Sequence, residues 1–255
     1  MIHETVIVHD SSNIGANVTI EPYSIIGPNV SIGDNCQIGS HTIIEEGTSV
    51  GANTKISSFA AIGGAPQHSR DMGEDTALEI GENNVIREYC TINRGTVEGG
   101  SLTSIGDNNF LMAYVHIAHD CHVGSNTIFA NAASLAGHVH VGDYAVMGGF
   151  SLVHQYCRVG AHCITGIGAV CLLDVPPYMI VAGNKAVTHG INVKGLRRRD
   201  FTEEDILLLK RAYKTFYRSD FSMEDGLSKL EVMGDNPHLI SLIGFLRSTK
   251  RGVIR

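Results

Sequence analysis

The segment HIAHDCHVG, residues 116–124, sets His116, His119 and His122 three residues apart. Imidazole is the commonest metal ligand and the side chain best suited to moving protons near neutral pH. Two chemistries are therefore open, ion binding and acid–base catalysis, beside the plain alternative of solvated surface histidines. Convergence on one ion is disfavoured if the segment is extended, because alternate strand residues point to opposite faces. No metal site is expected. Acid–base chemistry needs a base beside the reacting group and a donor for the charge that develops. Whether the chain supplies both depends on the elements that carry the histidines.

Those elements are set by a repeat. An aliphatic residue recurs every six positions at Ile2, Val8, Ile14, Ile20, Ile26, Ile32, Ile38, Ile44, Val50, Ile56 and Ile62. A small or β-branched residue lies two positions earlier, as at Val18, Ser24, Val30, Cys36 and Thr42, and Gly often follows, as at Gly15, Gly27, Gly33 and Gly39. The phase returns at Ile80, Ile86 and Ile92, eighteen residues or three periods after Ile62, and resumes with a one-residue shift from Ile105 to Cys171. Period six fits neither a helix nor simple alternation, but it matches the hexapeptide β-helix. Three hexapeptides make a triangular coil of ~18 residues. Gly beside the aliphatic is expected to serve the turns. The fold class is mainly β, a parallel β-helix followed by a helical tail.

Residues 18 apart then share a column on successive coils, separated by ~4.8 Å. His119, Gly137 and Gln155 form one such column, Asp120 and His138 its neighbour, with His154 beside Gln155. His122 and His140 stand in another column. His119 thus gains a backbone N–H, that of Gly137, one coil away. A base beside a peptide donor suits acyl transfer, in which a nucleophile loses a proton and a tetrahedral oxyanion forms.

Two polar, Gly-rich interruptions, residues 64–79 and 94–104, read as loops projecting from the coil, a common place for function. Pro176 and Pro177 cannot continue a ladder. Beyond them the period becomes helical, with Thr202 capping a first helix, a second following Ser222 and a third opening at Asn236–Pro237. The division expected is a repeat domain over 1–190 and a helical domain over 191–255. A net charge of −7 argues against non-specific nucleic-acid binding. No apolar run approaches a membrane span, no signal peptide is evident, and six cysteines without a C-x-x-C pair read as free thiols of a reducing, cytoplasmic compartment.

Beyond these patterns, HIAHDCHVG, LAGHVHVGD, VHQYCRVGAH, DVPPYMIVAGN, NRGTVEGG and the tail GLRRRDF…RAYKTFYRS together resemble the UDP-N-acetylglucosamine O-acyltransferases of lipid A biosynthesis, over essentially the whole chain. The resemblance implies a left-handed β-helix in a homotrimer with sites between subunits, no cofactor, and transfer of an R-3-hydroxyacyl group from acyl carrier protein to the 3-position of UDP-N-acetylglucosamine. It implies His119 as general base with Asp120 as its partner, and Gly137 as the oxyanion donor. Gln67, His68 and Arg70 in the first loop, with His116, His138 and His154, would line the acceptor and thioester site. Gln155, Asn192, Arg198 and Arg199 would hold the nucleotide and its diphosphate, and Ile167 would limit the acyl chain. Arg211, Lys214 and Arg218 are candidates for docking the acidic carrier protein.

Two positions depart from the family pattern. His68 stands where an Asp usually follows the loop Gln, and Asn93 stands where His is usual. Some relatives acylate the 3-amino analogue of the sugar, so that acceptor stays open. Bulky Ile167, where some members have Gly, points to shorter acyl chains. A coenzyme A-dependent hexapeptide acyltransferase and a non-catalytic trimeric solenoid are the other readings.

Overall fold

The computed structural model describes every residue of the chain except Arg218 and Asp220. Short strands, most of two residues, are stacked into three sheets of nine, eight and ten strands, and successive strands in the sequence go to successive sheets. All pairings are parallel apart from one return at the end. β-Branched residues suit this half-buried pleat. Each repeat contributes one inward aliphatic, and Ile26, Ile44 and Ile62 stack in register in the first sheet. These inward residues are 0–4% exposed through the coil, from Ile20 to Val159. Burial of each is worth about 1.5–3 kcal/mol, spread evenly along the prism.

The residues two positions earlier form a second inward column, buried at Val18, Ser24, Val30, Cys36 and Thr42. Their polar atoms reach the backbone of neighbouring coils, as Ser24 Oγ does to the Gly39 carbonyl at 2.8 Å. All six cysteines are buried and free.

The turns are made differently from the expectation. Left-handed φ falls on residues such as Asn17, Asn35, Asn53, Asp120 and His138, three positions after the aliphatic. Asn and Asp tolerate that region better than most side chains. Gly15, Gly33 and Gly39 do not have left-handed φ; a Cβ there would lie 2.5, 2.7 and 2.4 Å from the adjoining coil. They are glycine because coils approach closely.

The interruptions also differ in length from the periodic reading. Ile80 pairs with Val50, and Ile105 with Ile80. Ile80 is thus the next repeat after Ile62, with twelve residues inserted rather than two whole repeats traversed. The expected loop ends, Ala77–Ile80 and Leu102–Ile105, are strands paired with each other. Both insertions leave the same corner, between the first and second sheets.

Past the prolines the chain adds Met179–Ala182 to the third sheet, then returns antiparallel as Val187–Ile191. Four helices follow: α1 (Val193–Arg197), α2 (Glu203–Tyr217), α3 (Met223–Glu231) and α4 (Pro237–Arg247). Thr202, Ser222 and Asn236 cap the last three, each accepting from a first-turn N–H. Ile206, Leu209, Tyr213 and Phe216 form the buried face of α2.

Candidate active site

His119 and Asp120 sit at the corner left by both loops, and they are 8% and 2% exposed. His119 Nδ1 lies 2.7 Å from Asp120 Oδ2. A carboxylate can only accept, so Nδ1 carries the proton and the lone pair is on Nε2. That is the tautomer a base requires. The Asp120 N–H donates to Thr103 Oγ1 at 2.8 Å. Its carboxylate also accepts from the Thr96 N–H and hydroxyl, both at 2.7 Å. Burial raises the Asp120 pKa, but these bonds, with His119 and the nearby His138, pull it below the usual carboxylate value. The second loop therefore fixes the carboxylate, and a Cβ on its Gly99 would lie 2.1 Å from Asp120 Cγ.

Gly137, one coil away, lies under the His119 ring. A Cβ there would come 2.6 Å from Cε1 and 2.8 Å from Nε2. No hydrogen bond from the Gly137 N–H is made among the described residues, while its carbonyl accepts from Tyr156. A free peptide donor thus stands beside the basic nitrogen. His138 completes the corner: its Nε2 is 3.6 Å from Asp120 Oδ2, and its ring stacks on Tyr156 at 4.3 Å. Burial holds the His138 pKa below the ordinary value, against the opposing charge of Asp120.

His119, Asp120 and His138 place three potential metal-ligand atoms within 4.8 Å of one another. Columns create this set, not the three-residue spacing within HIAHDCHVG. Its shared oxygen, Asp120 Oδ2, already accepts from Thr96 and His119 at 2.7 Å. The donor set is thus arranged for hydrogen bonding. His122 and His140 pair elsewhere, on the outer face of the second sheet, with rings 4.8 Å apart.

The first loop closes over the same corner. The His68 ring meets that of His119 edge-on at 5.4 Å. Gln67 and Arg70 are exposed, and Arg70 Nη1 lies 4.0 Å from Glu98 of the second loop. Asn93 and Arg94 anchor this loop from inside: Asn93 Nδ2 donates to the Ala65 carbonyl at 2.7 Å, and Arg94 Nη1 to that of Gly63 at 3.2 Å. His116 projects from the first sheet with Nδ1 2.7 Å from Thr91 Oγ1. Burial, then His119, lowers its pKa. His154 donates from Nδ1 to the Gln155 carbonyl at 3.2 Å, and both residues are exposed at the corner. Thr96, Thr103, Asn93 and Arg94 are the supports that the sequence reading did not assign.

A model described as UDP-N-acetylglucosamine O-acyltransferase, domain 2, matches residues 174–254, and a bacterial transferase hexapeptide model matches 11–46, 29–64 and 102–137. An acyl-[acyl-carrier-protein]–UDP-N-acetylglucosamine O-acyltransferase of Thiobacillus denitrificans is 53% identical over 255 residues, covering 100% of this chain and 99% of its own. The chain belongs to the UDP-N-acetylglucosamine O-acyltransferase family. A relative of the same name from Herminiimonas arsenicoxydans is 48% identical over 260 residues, covering 100% of this chain and 99% of its own. The solved structure of LpxA from Acinetobacter baumannii superimposes with a TM-score of 0.96 at 41% identity, covering 100% of this chain and 99% of that one. The UDP-N-acetylglucosamine acyltransferase of Bacteroides fragilis gives 0.98 at 39%, covering 100% of both. The fold is accordingly the left-handed parallel β-helix with a C-terminal helical domain.

The remaining residues expected at this family's site lie on other corners of the same protomer. Arg199 stands over the Tyr144 ring at 5.0 Å, at the corner between the second and third sheets. Burial lowers its pKa, and its Nη1 is buried without a partner among the described residues. Arg198 is exposed beside it. Asn192 is 1% exposed; its Oδ1 caps α1 at Gly195 N–H and its Nδ2 donates to the His162 carbonyl at 2.9 Å. Each amide atom thus makes one bond that positions α1 ahead of the arginines, and Asn192 lines one cavity with Lys194, Arg198 and Arg199. Ile167 is 85% exposed at the third corner, after the Ile164–Thr165 strand.

Proposed function

We propose that the chain transfers an R-3-hydroxyacyl group from the thioester of acyl carrier protein to the 3-position of UDP-N-acetylglucosamine, the first step of lipid A biosynthesis. The observation that carries this is the His119–Gly137 contact, a basic nitrogen beside an unpaired peptide N–H, in a chain whose relatives are named for that reaction. His119 Nε2 takes the proton of the sugar 3-hydroxyl as its oxygen attacks the thioester carbon. The Gly137 N–H receives the oxyanion, a contribution of about 2.7–4 kcal/mol per donor. The C–S bond then breaks, and the imidazolium returns its proton to the departing thiolate. Asp120 keeps His119 in the required tautomer throughout.

His116, His138, His154, Gln67, His68 and Arg70 would line the acceptor and thioester, while Gln155, Asn192, Arg198 and Arg199 would contact the nucleotide. Within one protomer, His119, Arg199 and Ile167 occupy three different corners. One substrate can meet all three only if a neighbouring copy presents its own corner, which supports a homotrimer with shared sites. Arg211 and Lys214 are exposed on α2 and would dock the carrier protein; Arg218 lies outside the described residues. No helix among the described residues is long and apolar enough to cross a membrane, and free buried thiols support a cytoplasmic location. The division into a repeat domain over 1–190 and a helical domain over 191–255 belongs to the same reading.

The 3-amino acceptor remains a second reading because His68 brings an imidazole, not a carboxylate, to within 5.4 Å of the His119 ring. Mass spectrometry of products from the hydroxyl and amino sugars, with donors of graded length, tests both points. Ester product from the hydroxyl sugar supports the main reading; product from the amino sugar alone overturns it. Ile167→Gly should lengthen the preferred chain, at ~0.8 kcal/mol per buried methylene; an unchanged preference rejects the ruler.

A further inference from the structure

The spacing within HIAHDCHVG does not gather its three histidines on one ion, but the columns pair one of them with a histidine of the next coil. His122 and His140 are register partners on adjacent parallel strands of the second sheet. His122 is half-buried and His140 exposed. Their ring centroids are 4.8 Å apart with the planes tilted by 44°. Ring pairs along the corners stack instead, as Tyr89 does on Tyr114 at 8° and His41 on Phe59 at 2°. Stacked rings show each other their faces, whereas tilted rings can aim edge nitrogens at a shared point. His122 Nδ1 lies 2.8 Å from Ser104 Oγ on the rung before. A hydroxyl accepting there leaves the lone pair on Nε2. The His140 side chain makes no hydrogen bond among the described residues. Arg158, on the rung after, is drawn off. Its guanidinium lies 4.3 Å from the Phe245 ring centroid, and Nε and Nη2 donate to Asp174 at 3.1 Å. A carboxylate thus answers its charge, which limits repulsion of a second cation.

A ring nitrogen stands about 1.1–1.2 Å from its centroid and about 2.0–2.1 Å from a bound zinc ion. Two imidazoles on one ion therefore have centroids about 4.5 Å apart when they meet at a right angle, and about 5.2 Å apart at the tetrahedral angle. The observed 4.8 Å falls between these limits. The pair lines a groove of about 440 Å³ together with Gly124, Gly142 and Phe245, room for an ion and several waters at about 30 Å³ each. At the catalytic corner the shared ligand oxygen is taken by hydrogen bonds; here His122 Nε2 and both His140 nitrogens are open. Ser104 orients the His122 ring as an outer partner orients a metal-bound imidazole. Imidazole suits zinc, nickel and copper, whereas magnesium and calcium take oxygen ligands. We propose that His122 and His140 bind one divalent ion of the zinc, nickel and copper class, which bridges two neighbouring coils with water completing its coordination. The site is separate from the acyl-transfer chemistry and does not depend on that reading.

The test is calorimetric titration of the full chain, first stripped with chelator, with Zn²⁺, Ni²⁺ and Mg²⁺. His122→Gln and His140→Gln should each weaken uptake of Zn²⁺ or Ni²⁺ at least about tenfold. The double variant should bind one ion fewer per chain than the native protein, and Mg²⁺ should bind to neither. His138→Gln should keep the ion, because its ring belongs to the catalytic corner. An ion that joins two coils binds only the folded chain, so Zn²⁺ should raise the melting temperature of the native protein by a few degrees more than that of the double variant. No uptake of Zn²⁺ or Ni²⁺ by the native protein, or equal uptake by the double variant, overturns the site. Loss of the ion in His138→Gln overturns it too, by assigning the metal to the catalytic corner. An equal rise in melting temperature for native protein and double variant overturns the bridging of coils.

Discussion

Gly137 is where one added methyl group should cost most. Its backbone is ordinary, and what excludes a side chain is the His119 ring, 2.6–2.8 Å from any Cβ. Gly137→Ala must displace that ring and with it the basic nitrogen. We expect kcat to fall about 10²-fold, the scale of a displacement of about an ångström, with the melting temperature little changed. Rate retained to within a few-fold would show that the ring does not need to lie there. The contact was legible in the sequence, since His119 and Gly137 are 18 residues apart in an 18-residue coil. Thr96 was not legible. It donates twice to Asp120 from a loop outside the repeat, and no periodicity reaches it. Asn93 drew notice as a departure from the family pattern, but its task of pinning the first loop through Ala65 depends on a path that only tertiary structure sets.

At the level of elements, the helix starts at Thr202, Ser222 and Asn236 were readable because capping is local chemistry. No helix was expected at α1, whose segment drew notice only through the motif GLRRRDF. Five residues containing a Gly make a poor isolated helix, and α1 persists because Asn192 caps it and ties it to the His162 carbonyl. His162 lies in an aromatic ladder between Tyr144 and Tyr178. Burial, then Arg199 and His238, pushes its pKa from 6.5 down to about 4. As pH falls, the unfolded chain takes up this proton first. The stability tied to neutral His162 is therefore complete above about 6.5 and lost as pH falls toward about 4. His162→Phe keeps a ring in the ladder and removes the proton. Its melting temperature should decline less than the native protein's between those pH values; parallel declines would show that His162 does not control acid stability.

For the whole molecule, the prism was the most legible feature, because each six-residue step repeats the same demand for one buried aliphatic. Its left hand was not, since period alone is indifferent to hand. Nor does one protomer's sequence show that its site residues lie on separate corners. If neighbouring copies share sites, inactive His119→Ala and Arg199→Ala chains should complement each other when reassembled together. Random mixing should recover about a quarter of native activity, since a heterologous interface pairs His119 of one copy with Arg199 of the next. Activity no higher than that of either variant alone would place each complete site within one protomer. The proposed mechanism requires above all that His119 drive acyl transfer to the sugar. It is tested most directly by quantifying UDP-linked acyl sugar by mass spectrometry from native and His119→Ala protein, given R-3-hydroxyacyl carrier protein and UDP-N-acetylglucosamine. Native protein should form the 3-O-acyl product, and His119→Ala should form it about 10²–10⁴-fold more slowly while remaining folded and assembled. Equal rates from the two proteins, or no acyl sugar from the native one, would contradict it.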